Sequence, residues 1–257
     1  MSQDTTSTVQ TNGQNGSAQE YPKPDHKPNR VARQFISFSF YKLDPQWRFL
    51  PEDQKKTARE EFVALIKEFQ AGGTVVVPYS CVGTRADTDL LLWRIDYQLE
   101  RLQQMSTRIT QTGVGKYLHT SHAFLSMSKR STYVDKINPE HDDARTTVAP
   151  GRGKYIFVYP FVKSREWYLL RPTTRQGIMD EHIQVGVKYP TVKLNTTYSF
   201  GLDDQDFVVA FEGDFPEDFL DLVMELRETE GSKYTVRDTP ILTGIKGTLE
   251  EVVATLG

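Results

Sequence analysis

Ile178, His182 and Val185 stand at i, i+4 and i+7, the spacing that brings side chains to one face of a helix. A neutral imidazole in such a stripe can be a core residue with a satisfied hydrogen bond. It can equally ligate a metal, as the fifth ligand of a haem iron does, with a carboxylate or backbone carbonyl holding its other nitrogen. Tyr155 and Tyr159 precede it on a strand-like stretch and point the same way. Strand tyrosines commonly pack; beside a redox cofactor a tyrosine can donate an electron and a proton. Around them gather Arg152, Lys154, Lys163, Arg165, Arg175 and, later, Arg227. Solvated surface charge accounts for most of these. Lys163 and Arg227 adjoin apolar residues of their elements, where they could meet the carboxylates of an acidic substrate through charge-assisted hydrogen bonds. Asp203 and Asp204 follow Gly201 and read as a hairpin turn. His119 and His122 have an HxxH spacing with no further metal ligand in view.

The chain carries one plan twice, with the histidine in only one copy. Gln46-Trp47-Arg48-Phe49-Leu50-Pro51 lies over Glu166-Trp167-Tyr168-Leu169-Leu170-Arg171, and at the same offset Glu60-Glu61-Phe62 falls on Asp180-Glu181-His182. Gly83-Thr84-Arg85-Ala86-Asp87 meets Gly201-Leu202-Asp203-Asp204 with a shift of two residues. Phe62 is the ordinary apolar solution at its helix position. An imidazole in its place points to chemistry in the C-terminal half. Trp47 and Trp167 are expected to be equivalent core anchors.

The elements that must position these residues follow from periodicity. Phe35 to Phe40 alternates apolar and polar as a strand does, and Glu52 to Phe69 has helical spacing. Thr74–Tyr79 and Asp89–Ile95 read as strands, Leu99–Thr112 as a helix and Ala123–Met127 as a closing strand. The order then repeats: strand Tyr155–Tyr159, helix from Thr173 to about Lys188, strands Val192–Phe200 and Asp206–Phe211, helix Pro216–Glu228, and a last strand Pro240–Ile245. Each series is the ferredoxin-like order. The expected fold is α+β, with tandem duplicated ferredoxin-like modules forming a β-barrel-like body flanked by helices. The expected divisions are a disordered tail over 1–30, an N-terminal module over 31–128, a connecting loop over 129–153, and a C-terminal module over 154–257 that holds the site.

With 257 residues, 38% hydrophobic and 25% charged, the composition is that of a soluble globular protein. A net charge of −3 gives no reason to expect nucleic acid or an anionic membrane as partner. No apolar run approaches the ~18 residues of a membrane span, and the first residues lack the pattern of a signal peptide. Cys81 is the only cysteine, which excludes an internal disulfide framework and a thiolate metal cluster. A cytoplasmic protein is expected.

The C-terminal half resembles the chlorite dismutase-like superfamily, most of all its coproheme decarboxylases. The resemblance rests on Tyr159-Pro160-Phe161-Val162-Lys163, Glu166-Trp167-Tyr168, Met179-Asp180-Glu181-His182, Gly201-Leu202-Asp203-Asp204 and Glu225-Leu226-Arg227, and covers about Tyr155 to Ile245. It implies His182 as proximal iron ligand, Tyr159 as the tyrosine that becomes a radical, and Lys163 as a propionate ligand that assists proton transfer. Arg227 and Ser232 fall where the family contacts propionates. It also implies a homo-oligomer, usually a pentamer. The implied activity converts iron coproporphyrin III, substrate and cofactor at once, to haem b by hydrogen peroxide-dependent decarboxylation of two propionates. Chlorite or peroxidase chemistry, or a non-catalytic haem carrier or sensor, are the alternatives. The arginine that chlorite decomposition uses has no counterpart in Val192-Lys193-Leu194-Asn195-Thr196-Thr197, nor has the glutamine of one decarboxylase branch.

Overall fold

Side-chain alternation sets the first strand, β1 (Phe35–Leu43), with Ile36, Phe38 and Phe40 on one face and Ser37 and Ser39 on the other. In the computed structural model the described residues are 32–133 and 147–257. The expected tail and the middle of the expected 129–153 loop lie outside them. A 3-10 turn, Pro45–Phe49, leads to α1 (Glu52–Ala71), followed by β2 (Val75–Ser80), β3 (Leu90–Asp96), α2 (Leu99–Gln111) and β4 (Leu118–Met127). The second series runs β5 (Tyr155–Lys163), a short α3 (Arg165–Leu169), α4 (Pro172–Val187), β6 (Lys193–Tyr198), β7 (Phe207–Gly213) and α5 (Pro216–Glu228). A 3-10 turn, Glu230–Tyr234, then precedes β8 (Thr235–Arg237), β9 (Leu242–Lys246) and α6 (Leu249–Ala254).

Strands of the first series lie in the order β4-β1-β3-β2 and those of the second in the order β9-β5-β7-β6. Both are the ferredoxin-like order, fourth-first-third-second. The halves join where β4 meets β6 and β2 meets β9, which closes a ring of antiparallel strands, with β8 on the edge of β5. The expected α+β barrel-like body is therefore present.

Both joins are short, and side chains reinforce them. Between β4 and β6 only Met127 and Tyr198 register as a pair. The hydroxyls of Ser126 and Thr197 are 2.7 Å apart, Ser199 Oγ donates to Leu125 O at 2.8 Å, and Leu125 N–H donates to Asp203 Oδ2 at 2.8 Å. The turn at Gly201, whose φ of +72° suits glycine, thus clips the seam through Asp203. Between β2 and β9, Thr84 Oγ1 donates to Thr243 O at 2.9 Å and Arg85 to Ile241 O at 3.2 Å. Gly244 permits this approach, since a Cβ there would stand 2.8 Å from that of Tyr79.

The ring interior is filled by Ile36, Phe38, Trp93, Ile156, Val158 and Val208 among others. Outside the N-terminal half, Phe62, Leu65 and Ile66 of α1 and Met105 and Ile109 of α2 seal the sheet. Trp47 and Trp167 are both buried, on equivalent short helical turns. Sequence patterning missed those turns, β8 and α6. The last of these carries a capping box, Thr248 with Glu251, and drives Val252, Val253 and Leu256 into the core beside Phe62 and Trp47.

Gly244→Ala is expected to lower stability by about 1–3 kcal/mol, because the added methyl overpacks the β2–β9 join. Urea unfolding checks this, and an unchanged midpoint would show slack at the join.

Candidate functional site

Alternation along β5 turns Ile156 and Val158 into the ring and Tyr155, Phe157, Tyr159 and Phe161 outward. With Val209 and Phe211 of β7 they form an aromatic floor, covered in part by Phe219 and Leu222 of α5. Phe157 stacks on Phe219 with ring centres 4.0 Å apart. Helix α4 behaves differently. Ile178 is its only buried residue; the helix rests on α5 and the Glu230–Tyr234 turn and reaches the aromatic cluster through the partly buried Val185. Phe62 is fully buried on α1, whereas its counterpart His182 on α4 is partly buried.

His182 is partly buried, and its ring makes no hydrogen bond to a described residue. Burial pushes its pKa down to about 4, the Lys163 ammonium adds to the effect, and Glu181 works against it. The imidazole is therefore neutral at pH 7 and keeps a lone pair to offer. The second-nitrogen partner expected for it is not found among the described residues. Glu181 instead accepts the Glu230 N–H at 2.9 Å.

Lys163 ends β5 and faces the same region. Its Nζ donates to Gly231 O and to Thr235 Oγ1, and lies 5.0 Å from the Trp167 ring centre. Its backbone N–H donates to Asp206 Oδ2 at 2.8 Å, an oxygen that also receives the Tyr168 hydroxyl at 2.7 Å. Burial lowers the Lys163 pKa to about 8. A proton can therefore leave or rejoin this amine near neutral pH. Gly231, its acceptor, sits against Ile178, which links the lysine to the His182 face of α4.

Tyr159 is buried, and its hydroxyl has no hydrogen-bond partner among the described residues. Burial and the Asp238 carboxylate raise its pKa while Arg227 opposes them, so the phenol stays protonated. Pro160 fits its place for a separate reason. The β9 ladder ends at Val158 and the β8 pairing begins at Val162, so a residue without an N–H occupies the gap. Arg227, exposed in the last turn of α5, pairs with Asp238 at 3.4 Å. Ser232 Oγ lies 2.8 Å from the carbonyls of both Arg227 and Thr229, tying the following turn to the helix end.

His182, Lys163, Tyr159, Arg227 and Ser232 thus belong to the elements around one face: α4, β5, α5 and the turn after α5. Arg152, Lys154 and Arg165 are exposed, as expected of solvated charge. Arg175 departs from that expectation: it is partly buried, and its Nε is fully enclosed without a partner. Tyr155 is half-buried, with the Lys154 ammonium 5.3 Å from its ring centre. Lys193, on the stretch lacking arginine, donates to Ala149 O at 2.7 Å. Of the HxxH pair, His119 Nε2 lies 3.2 Å from Asp44 and His122 Nδ1 lies 3.3 Å from Ser121 Oγ. No group of three His, Cys, Asp or Glu ligands occurs among the described residues.

A neutral imidazole with a free lone pair, a flat aromatic floor, a protonated phenol and cations at the edge suit a planar, metal-bearing, carboxylated ligand. An iron porphyrin has that chemistry, and the donors present fit it.

A family model described as chlorite dismutase matches residues 55–247. Coproheme decarboxylase from Mycolicibacterium smegmatis is 29% identical over 223 residues, covering 86% of this chain and 94% of that protein. The structure of chlorite dismutase from Candidatus Nitrospira defluvii in complex with imidazole superposes with a TM-score of 0.79 at 28% identity, over 86% of this chain and 94% of that one. A heme-binding protein from Thermus thermophilus superposes with a TM-score of 0.77 at 26% identity, over 88% and 95%. No helix among the described residues is long and apolar enough to cross a membrane.

The lowered His182 pKa has a consequence for the ligand-free protein. Between pH 6.5, the ordinary value, and about 4, the unfolded chain takes up a proton that the folded chain refuses. Stability is therefore lost as pH falls through that window. Urea midpoints should decline over this range, and His182→Leu should flatten the decline; an identical slope in the variant would place the titration elsewhere.

Proposed function

The chain belongs to the chlorite dismutase family, and on that premise we propose that it is a coproheme decarboxylase, converting iron coproporphyrin III to haem b with hydrogen peroxide. The observation that carries this reading is the Tyr159 hydroxyl, carried on a buried ring but not itself enclosed, and without a partner among the described residues, on the floor that the neutral His182 serves. A phenol kept protonated, with no hydrogen bond to hold its proton, is suited to giving up a hydrogen atom.

Each round consumes one propionate, one peroxide and one proton, and releases a vinyl group, carbon dioxide and two waters. The bound iron supplies the oxidising power of the peroxide. The chain's residues do the rest. His182 holds the iron through its free nitrogen. Tyr159 would lose an electron and a proton and, as a radical, take a hydrogen atom from the propionate chain; the second of the two electrons that peroxide accepts would leave that chain as carbon dioxide departs and the vinyl group forms. Lys163, with its pKa near 8, holds a propionate and passes the proton. Arg227 and Ser232 hold further carboxylates. Phe49 and Leu169, exposed at equivalent positions, offer apolar surface for a homo-oligomer to cover.

Loading the protein with iron coproporphyrin III and titrating in peroxide should give stepwise loss of two carboxyl groups by mass spectrometry. Tyr159→Phe should bind the substrate unchanged and lose turnover by about 100-fold or more. Full turnover by that variant removes the radical role. Tight binding by the parent protein without mass loss favours chlorite turnover or a haem carrier instead.

A further inference from the structure

Helix α4 carries a second functional side chain besides His182. Arg175 precedes it by seven residues, close to two full turns, so the two leave the helix in nearly the same direction, about 10 Å apart along the axis. Ile178 lies between them on that stripe and is buried near Gly231, whose carbonyl receives Lys163. Arg175 therefore shares the face that serves the site.

Its terminal nitrogens are uncommitted. None of its guanidinium nitrogens has a hydrogen bond or an ion-pair partner among the described residues, and Nε is fully enclosed. The nearby acids are engaged: Asp180 with Gln176 at 2.6 Å, and Glu181 with the Glu230 N–H. Arg175 is partly buried, and its terminal nitrogens, which are not enclosed as Nε is, stay open to an incoming acceptor. The same chain shows what a structural arginine looks like. Buried Arg94, whose Nε is likewise enclosed without a partner, spends its terminal nitrogens on Ser37, Ser39 and Ser106 and on Leu102 O. Arg175 has been given no such acceptors.

We propose that Arg175 is a carboxylate receptor of this site, binding one ionised propionate of the porphyrin through its planar fork of donors. The assignment rests on the porphyrin reading above. It extends the cationic edge from Lys163 and Arg227 to the start of α4, and gives the substrate's charge a partner that is permanently ionised.

The test titrates the ligand-free protein with iron coproporphyrin III and with its tetramethyl ester, following the Soret band, in the parent chain, R175Q and R175K. R175Q is expected to weaken binding of the tetra-acid about tenfold or more, with the ester unaffected. R175K should recover part of the loss. R175Q binding the tetra-acid as tightly as the parent overturns the assignment, and so does equal weakening of acid and ester, the mark of a structural role. If the parent chain binds neither porphyrin, the reading of the whole site falls, and the Arg175 assignment with it.

Discussion

Closure of the strands into a ring is the constraint on which everything else depends. A closed sheet has one inner face and one outer face, and the inner one admits only residues that pack dry. Once Ile156 and Val158 are committed inward, Phe157 and Tyr159 have no choice but to face the helices. A slip of one residue along β5 would put the tyrosine inside the ring and empty the site. The register is held at two seams with few backbone pairs, so Ser126, Thr197, Asp203 and Gly244 matter far beyond their size. None of them touches the site, yet they set which way its residues point.

Duplication gave the molecule two outer faces, and they have been spent differently. On the first, the serines of β1 receive Arg94, and α1 and α2 press Phe62 and Met105 down on the sheet. That face is finished. On the second, aromatic rings occupy the strand positions, and α4 meets them through the partly buried Val185 while resting on α5 and the turn that follows it. The sheet is the same in both; what differs is how much of the overlying helix is buried, five residues on α1 against one on α4. His182 in place of Phe62 puts a ligand atom where the first half has a packed ring.

Alternation and helical spacing were enough to place most strands and helices, because burial on one face writes a period into the residues. The offset between the two copies singled out His182 for the same reason: equivalent core positions ought to be equally apolar. Tyr155 and Tyr159 could be placed on one face from the strand period alone, although the role of Tyr159, like that of Lys163 beyond the expected strand, came from resemblance. Other features left no local trace. β8 is three residues long and has no period to read. The enclosure of Arg175 depends on the neighbours that α4 meets, so it looked like any surface cation. The lack of a partner for the second nitrogen of His182 is likewise a property of the assembled face. α6 had a visible capping box, Thr248 with Glu251, but nothing in it said that the helix would pack against the other half.

That last contact ties the order of synthesis to the order of folding. Val252, Val253 and Leu256 complete a core whose other members, Trp47, Phe62 and Met105, lie far earlier in the chain, and the Trp47 indole donates to the Gly257 carbonyl. A ribosome making this protein releases the first half with part of that core still bare. It stays bare throughout the synthesis of the half that carries the site. The earlier half therefore completes its core only after the later one has emerged.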